Sequence, residues 1–112
     1  MQNNLKFYIN GEWVDPVEPA VIDVINPATE QSFTQISAGS SADIDRAVAA
    51  ARAAFDSYSQ WSVEQRLELL ERIRTVYKTR FEDIAQAIST EMGAPIDMSR
   101  SSQTVIGMGH IR

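Results

Sequence analysis

The spacing of apolar residues changes once along this chain, near residue 40, and this change limits the fold more than any other feature. Before it, short β-branched and aromatic runs alternate with turn-forming residues, as is typical of strands. After it, apolar residues recur every three or four positions, as is typical of helices that bury one face. The sequence therefore predicts β-hairpins over residues 6–37, followed by helices.

Two turns divide the β-rich part into hairpins. Asn10-Gly11 separates two aromatic and β-branched runs within Lys6–Val14, and Asn-Gly is the pair that best tolerates the positive φ angles of a type I′ turn. Asn26-Pro27-Ala28-Thr29 separates a strand-like run, 21–25, from a return strand over 32–37. We therefore expect a tight first hairpin and a second pair of strands after it.

Four helices are predicted after the change of spacing, over residues 41–58, 63–79, 80–92 and 96–112. Three start signals pair a hydroxyl residue with an acidic or amide residue three positions later: Ser40 with Asp43, Ser62 with Gln65, and Thr79 with Glu82. In such a capping box the two side chains satisfy backbone N–H groups at the start of a helix. The third pair predicts a break near residue 80. Gly93 suits the left-handed residue that follows a helix, and Pro95 can open the next one.

Composition excludes several kinds of site and partner. None of the 112 residues is cysteine, which excludes a disulfide, a thiolate metal cluster and a cysteine nucleophile within them. The net charge of −5 disfavours nucleic acid and anionic membranes as partners. The sequence has neither a leader-like segment nor an apolar run of bilayer length, so we expect a cytoplasmic protein.

The residues themselves predict no catalytic or cofactor-binding site. His110 is the only histidine, and a zinc site needs several such ligands. Gly107 and Gly109 follow no predicted strand and lack the third glycine of a dinucleotide-binding turn. Glu68 and Glu71 lie opposite the apolar stripe of their helix, which is typical of a solvated face. Periodicity and spacing therefore predict a mixed α and β fold without indicating a reaction.

Five segments carry a resemblance to a known family: Phe7–Trp13, Val24–Glu30, Asp43–Phe55, Trp61 with Arg66, and Glu91–Pro95. In this order they resemble the N-terminal part of the NAD(P)-dependent aldehyde dehydrogenases. The second resembles the family's Asn-Pro-Ala-Thr turn, with Glu30 directly after the threonine. The fifth resembles its Glu-x-Gly-Lys-Pro element, with Ala94 at the lysine position. The resemblance spans nearly the whole chain.

The resemblance implies an α/β fold in which residues 1–112 form the N-terminal part of a Rossmann-like cofactor-binding domain, incomplete in this chain. Family members also have a catalytic domain and an oligomerisation arm, which implies a homodimer or homotetramer. They oxidise an aldehyde to a carboxylic acid through a cysteine thioester, using NAD or NADP. Because those groups lie downstream in the family, the resemblance implies no catalytic and no cofactor-binding residue here.

The resemblance does assign two sets of residues in this chain. Family members bind a monovalent cation through backbone carbonyls at positions that correspond here to Val24, Ile25 and Glu91. The alternative for Val24 and Ile25 is packing as strand core. The family's last helix in this region runs along the substrate entrance. The resemblance therefore implies that Ile106, Met108 and His110 are candidates for lining that entrance.

Two other functions stay open on the sequence alone. A stand-alone module could bind a partner protein through the same apolar faces. An inactive relative could instead assemble with full-length subunits. The last predicted helix has no closing residue before Arg112, which favours a segment of a larger enzyme over a separate module.

Overall fold

The computed structural model of this protein describes residues 3–111. These residues form two compact units. The first contains the described residues up to Ile25 together with Ser32–Gln60, and the second contains Asn26–Gln31 and the described residues from Trp61 onward. Strands come first and helices follow, so the mixed α and β fold expected from the sequence is confirmed.

The first hairpin consists of strands β1 (Phe7–Ile9) and β2 (Glu12–Val14), which pair antiparallel. Tyr8 lies opposite Trp13, and their ring centroids are 5.2 Å apart. The two loop residues have φ angles of 54° at Asn10 and 81° at Gly11. Both values are positive, so the turn predicted from the Asn-Gly pair is confirmed.

The second pair of strands, β3 (Val21–Asn26) and β4 (Gln31–Ser37), forms a separate two-stranded sheet. The segment before β1 is tied to β4 by three hydrogen bonds. The Asn4 side-chain amide donates to Thr34 Oγ1 at 2.8 Å, the Ser37 backbone N–H donates to the Asn4 carbonyl at 3.3 Å, and the Ser37 hydroxyl donates to the Leu5 carbonyl at 2.8 Å. Within the first unit, β4 therefore orders the chain that leads into the first hairpin.

Helix α1 (Ser41–Tyr58) begins with the predicted capping box. The Ser40 hydroxyl accepts from the Asp43 backbone N–H, and the Asp43 carboxylate accepts from the Ser40 backbone N–H at 2.9 Å. The other carboxylate oxygen of Asp43 accepts from the backbone N–H of Val17 at 2.9 Å. These N–H groups, Val17 first and then Ser40, hold the pKa of Asp43 below its usual value. Asp43 is 4% exposed. Its two carboxylate oxygens join the start of the helix to the segment before β3, because one bonds Ser40 and the other bonds Val17.

In the second unit, α2 (Val63–Thr79) starts with the predicted Ser62–Gln65 capping box, and α3 (Phe81–Met92) follows after Arg80. The break at residue 80 is confirmed, but its predicted cause is wrong. The Thr79 hydroxyl donates back to the Val76 carbonyl at 2.8 Å, and no side chain caps α3. Thr79 thus bonds within the helix that it ends, which is a common alternative for hydroxyl side chains.

The helix predicted over 96–112 is divided in the structure. It contains a short helix α4 (Ile96–Met98), a π-helical turn (Ser99–Gln103) and helix α5 (Thr104–His110). Arg112, the predicted end, lies outside the described residues. Among residues 3–111, no helix combines the length and apolar character needed to cross a membrane.

Large apolar side chains remain exposed on the helices. Within residues 3–111, Ala85 is the one hydrophobic residue that is fully buried. On α1, Ile44 and Val48 are each 61% exposed and Phe55 is 53% exposed. These three lie at helical spacing, so they form one uncovered face of α1.

We expect replacement of Asp43 with Asn to lower the free energy of unfolding at neutral pH. The variant keeps the size of the side chain but loses the charged carboxylate that accepts hydrogen bonds from the backbone N–H groups of Val17 and Ser40. The pKa of Asp43 in the folded protein lies below its usual value. The stabilisation by its charge is therefore present above the pKa of Asp43 in the unfolded chain, and it is lost as the pH falls through the pKa in the folded protein.

Urea unfolding at a series of pH values between neutral and acid measures this difference. Asp45→Asn is the matched control, since Asp45 is exposed on the same helix. An equal effect of both substitutions, or a difference that grows towards acid pH, contradicts the assignment.

Candidate functional site

The turn between β3 and β4 is closed by Asn26. Its side-chain oxygen accepts from the Ala28 backbone N–H at 2.9 Å. Its carbonyl accepts from the backbone N–H groups of Thr29 and Glu30, at 3.2 and 2.8 Å. Glu30 takes a positive φ of 58° at the end of this turn. The asparagine thus holds the turn that resembles the family's Asn-Pro-Ala-Thr motif.

Gly93 ends α3 in the left-handed conformation that the sequence predicts, with a φ of 72°. Its N–H donates to the Ser89 carbonyl at 3.0 Å, and the Ser89 hydroxyl donates to the Ala94 carbonyl at 2.8 Å. A Cβ atom added at Gly93 would lie 2.8 Å from Cγ of Pro27. The Asn-Pro turn therefore packs directly against the end of α3, where no side chain would fit.

The three residues predicted to bind a monovalent cation lie beside these elements in the sequence. Val24 is half-buried on β3, Ile25 is 47% exposed on the same strand, and Glu91 is exposed in the last turn of α3. Ile25 is therefore not core within this chain. A site made of backbone carbonyls needs no particular side chain, so the exposure of these residues does not test it. The cation site stays a prediction.

No cluster of three or more histidine, cysteine, aspartate or glutamate side chains with the geometry of a metal site occurs within residues 3–111. The glycines also offer no dinucleotide cradle, since Gly107 and Gly109 both lie within α5 and follow helix rather than strand.

The candidate entrance residues lie on α5. Ile106 is 58% exposed, His110 is exposed and Met108 is half-buried. Their role at a substrate entrance stays a prediction, which KM values of Ile106 variants for aldehydes of different bulk would test.

Tyr77 on α2 fixes the position of α5. Its hydroxyl donates to the Thr104 carbonyl at 2.9 Å, and a Cβ atom added at Gly107 would overlap that hydroxyl. Thr104 is fully buried, and its own hydroxyl has no hydrogen-bond partner among the described residues. The apolar spacing of the sequence does not indicate this role of Tyr77. A tyrosine has a hydroxyl that needs a hydrogen-bond partner when its ring packs, and this was the available signal.

An ion pair links the π-helical turn to the start of α3. The Arg100 guanidinium donates to the two carboxylate oxygens of Glu82 at 3.0 and 2.6 Å, and the Gln86 amide donates to the same carboxylate at 2.8 Å. Arg100, followed by Gln86, lowers the pKa of Glu82 to about 2. Asp97 lies 3.6 Å from the same guanidinium. These contacts orient the segment that precedes α5.

Comparisons with known proteins agree with one another. The model of the aldehyde dehydrogenase family matches residues 13–111. A 3-succinoylsemialdehyde-pyridine dehydrogenase of a Pseudomonas species is 44% identical over 111 residues, which is 98% of this chain and 23% of the relative. A putative aldehyde dehydrogenase of Staphylococcus epidermidis is 43% identical over 98% of this chain and 23% of its own length.

Solved structures give the same match. The aldehyde dehydrogenase of Bartonella henselae superposes with a TM-score of 0.96 at 47% identity, over 100% of this chain and 24% of that one. A mutant aldehyde dehydrogenase C of Pseudomonas syringae, in complex with NAD+ and octanal, superposes with a TM-score of 0.97 at 47% identity. The match covers 99% of this chain and 23% of that one. This chain thus spans about a quarter of the length of the relatives that it matches.

We expect Gly93→Ala to destabilise the second unit by at least about 1 kcal/mol, because alanine is strained at positive φ. Its methyl group would also meet Pro27. The control is Gly109→Ala, since Gly109 lies in α5 with open space around it.

Thermal or urea unfolding of both variants and of the Gly93→Ala, Pro27→Ala double variant measures these effects. The double variant should recover the steric part of the loss and keep the part that comes from φ. If Gly93→Ala is as stable as Gly109→Ala, the packing described for the Asn-Pro turn is wrong.

Proposed function

This chain belongs to the aldehyde dehydrogenase family, and we propose that it forms the N-terminal segment of an NAD(P)-dependent aldehyde dehydrogenase. The observation that carries the proposal is the match to the family model over residues 13–111, together with relatives that are about four times longer. The alternative of a stand-alone interaction module is not supported, because the relatives matched over 98% of the chain are dehydrogenases.

The whole protein is proposed to oxidise an aldehyde to a carboxylic acid through a cysteine thioester. The 112 residues contain no cysteine, so the nucleophile belongs to another part of the whole protein. The segment itself is non-catalytic in this proposal. The relative from Pseudomonas syringae was solved with NAD+ and octanal, which supports a nicotinamide cofactor and an aldehyde substrate here.

The role proposed for the segment is structural support. The uncovered faces of its helices carry large apolar side chains, among them Ile44 and Phe55 on α1 and Leu67 on α2. Removal of such apolar surface from water lowers the free energy of the protein. We propose that the rest of the subunit covers these faces. The cytoplasmic location and the homodimer or homotetramer expected from the sequence remain part of the same proposal.

The complete natural protein should reduce NAD or NADP when an aldehyde is supplied, and thiol alkylation should abolish this activity. The absorbance of the reduced nicotinamide follows the reaction. The matched control is the 112-residue chain alone, which should neither turn over nor take up the alkylating reagent, because it has no cysteine. Full activity after complete alkylation of the natural protein would sink the cysteine mechanism.

We also propose that the backbone carbonyls of Val24, Ile25 and Glu91 hold a monovalent cation. Support comes from the resemblance of Val24–Glu30 and Glu91–Pro95 to two segments of the family. Carbonyl oxygens are suitable ligands for hard cations.

Crystals of the complete protein soaked in a rubidium salt should show anomalous density beside these three carbonyls. Crystals soaked in a lithium salt are the control, since lithium gives no comparable signal. Rubidium density at other positions only, with none beside the three carbonyls, contradicts the proposal.

A further inference from the structure

The loop of the first hairpin exposes an asparagine followed by a glycine. Asn10 and Gly11 are both exposed, and both have positive φ angles. The Asn10 side chain makes no hydrogen bond within residues 3–111, and an atom added at the Cβ position of Gly11 would meet nothing within 4 Å. We propose that Asn10 is a site of spontaneous deamidation, in which its side chain reacts with the backbone nitrogen of Gly11.

The reaction needs only water. The backbone nitrogen of Gly11 loses its proton and attacks Cγ of Asn10, and a bond forms between them. The bond from Cγ to the side-chain nitrogen breaks, and ammonia leaves with that proton, so that a five-membered succinimide remains. Water then opens the ring at either carbonyl and gives aspartate or isoaspartate at position 10. Nothing is oxidised or reduced.

The other asparagines of this chain do not combine a following glycine with a side chain that makes no hydrogen bond. Asn26 precedes Pro27, whose nitrogen carries no hydrogen and cannot close the ring, and its side-chain oxygen accepts from Ala28. Asn4 precedes Leu5, whose side chain hinders attack, and its amide nitrogen donates to Thr34. Asn3 precedes Asn4, which also carries a side chain. Glycine is the one neighbour that leaves the attacking nitrogen unhindered.

Deamidation would change the hairpin as well as the charge. Isoaspartate routes the main chain through Cβ and Cγ, so the two-residue loop gains an extra backbone atom. The loop length fixes which residues of β1 and β2 face each other. We therefore expect isoaspartate at position 10 to break the pairing of Tyr8 with Trp13, whose rings are now 5.2 Å apart.

The test uses the complete natural protein, kept folded at mildly alkaline pH, where loss of the Gly11 proton is favoured. Peptide mass spectrometry should find aspartate and isoaspartate at position 10, formed several-fold faster than any change at Asn4. Asn26 should stay intact and serves as the internal control. A parallel sample in urea gives the rate for the unfolded chain.

Two variants separate the chemistry from its consequence. Gly11→Ala should slow the conversion of Asn10 several-fold in urea, where folding plays no part. Asn10→Asp places the ordinary product in the loop, and since Asp-Gly also suits this turn, its near-ultraviolet circular dichroism should match the unmodified protein. The aged, isoaspartate-containing protein should lose the signal of the Tyr8–Trp13 pair.

Two results would overturn the proposal. Asn10 that stays intact in the folded protein while it converts in urea would mean that the folded loop protects it. Conversion at Asn4 ahead of Asn10 would mean that the exposed glycine turn does not direct the reaction.

Discussion

The small amount of apolar surface that residues 3–111 bury among themselves is the constraint on which the rest of this structure depends. Burial of apolar area is the main favourable term in folding, at roughly 25 cal/mol per Å². Ordering each residue costs about 1–2 kcal/mol of backbone entropy. Ala85 is the one fully buried hydrophobic residue among residues 3–111, and large side chains such as Ile44 and Val63 stay exposed. The chain spans about a quarter of the length of its relatives.

Individual polar interactions between residues far apart in the sequence position the elements within each unit. Asp43 joins the start of α1 to Val17, and Arg100 joins the π-helical turn to Glu82. Tyr77 holds the Thr104 carbonyl. Each of these bonds spans many positions in the sequence, so each fixes one element relative to another within its own unit. Such bonds set the relative positions of elements, whereas apolar burial supplies most of the stability of a domain.

Sequence reasoning succeeded where short-range chemistry decides the structure. The Asn10-Gly11 turn and the Ser40 capping box depend on residues that are at most three positions apart. It failed at Thr79, because a hydroxyl can bond either forwards as a cap or backwards to a carbonyl, and the pattern is the same for both. It also missed the π-helical turn within the helix predicted over 96–112, since apolar spacing does not distinguish a π-helical turn from an α-helical one.

The sequence by itself determined the order of strands and helices, the turns that separate them and the family to which the chain belongs. These follow from local backbone preferences and from motifs in a fixed order. Only the tertiary structure decided that Pro27 packs against Gly93 and that Tyr77 contacts the α5 backbone at Thr104 and Gly107. These contacts join residues that are far apart in the chain, and the meeting of such residues depends on how whole elements pack.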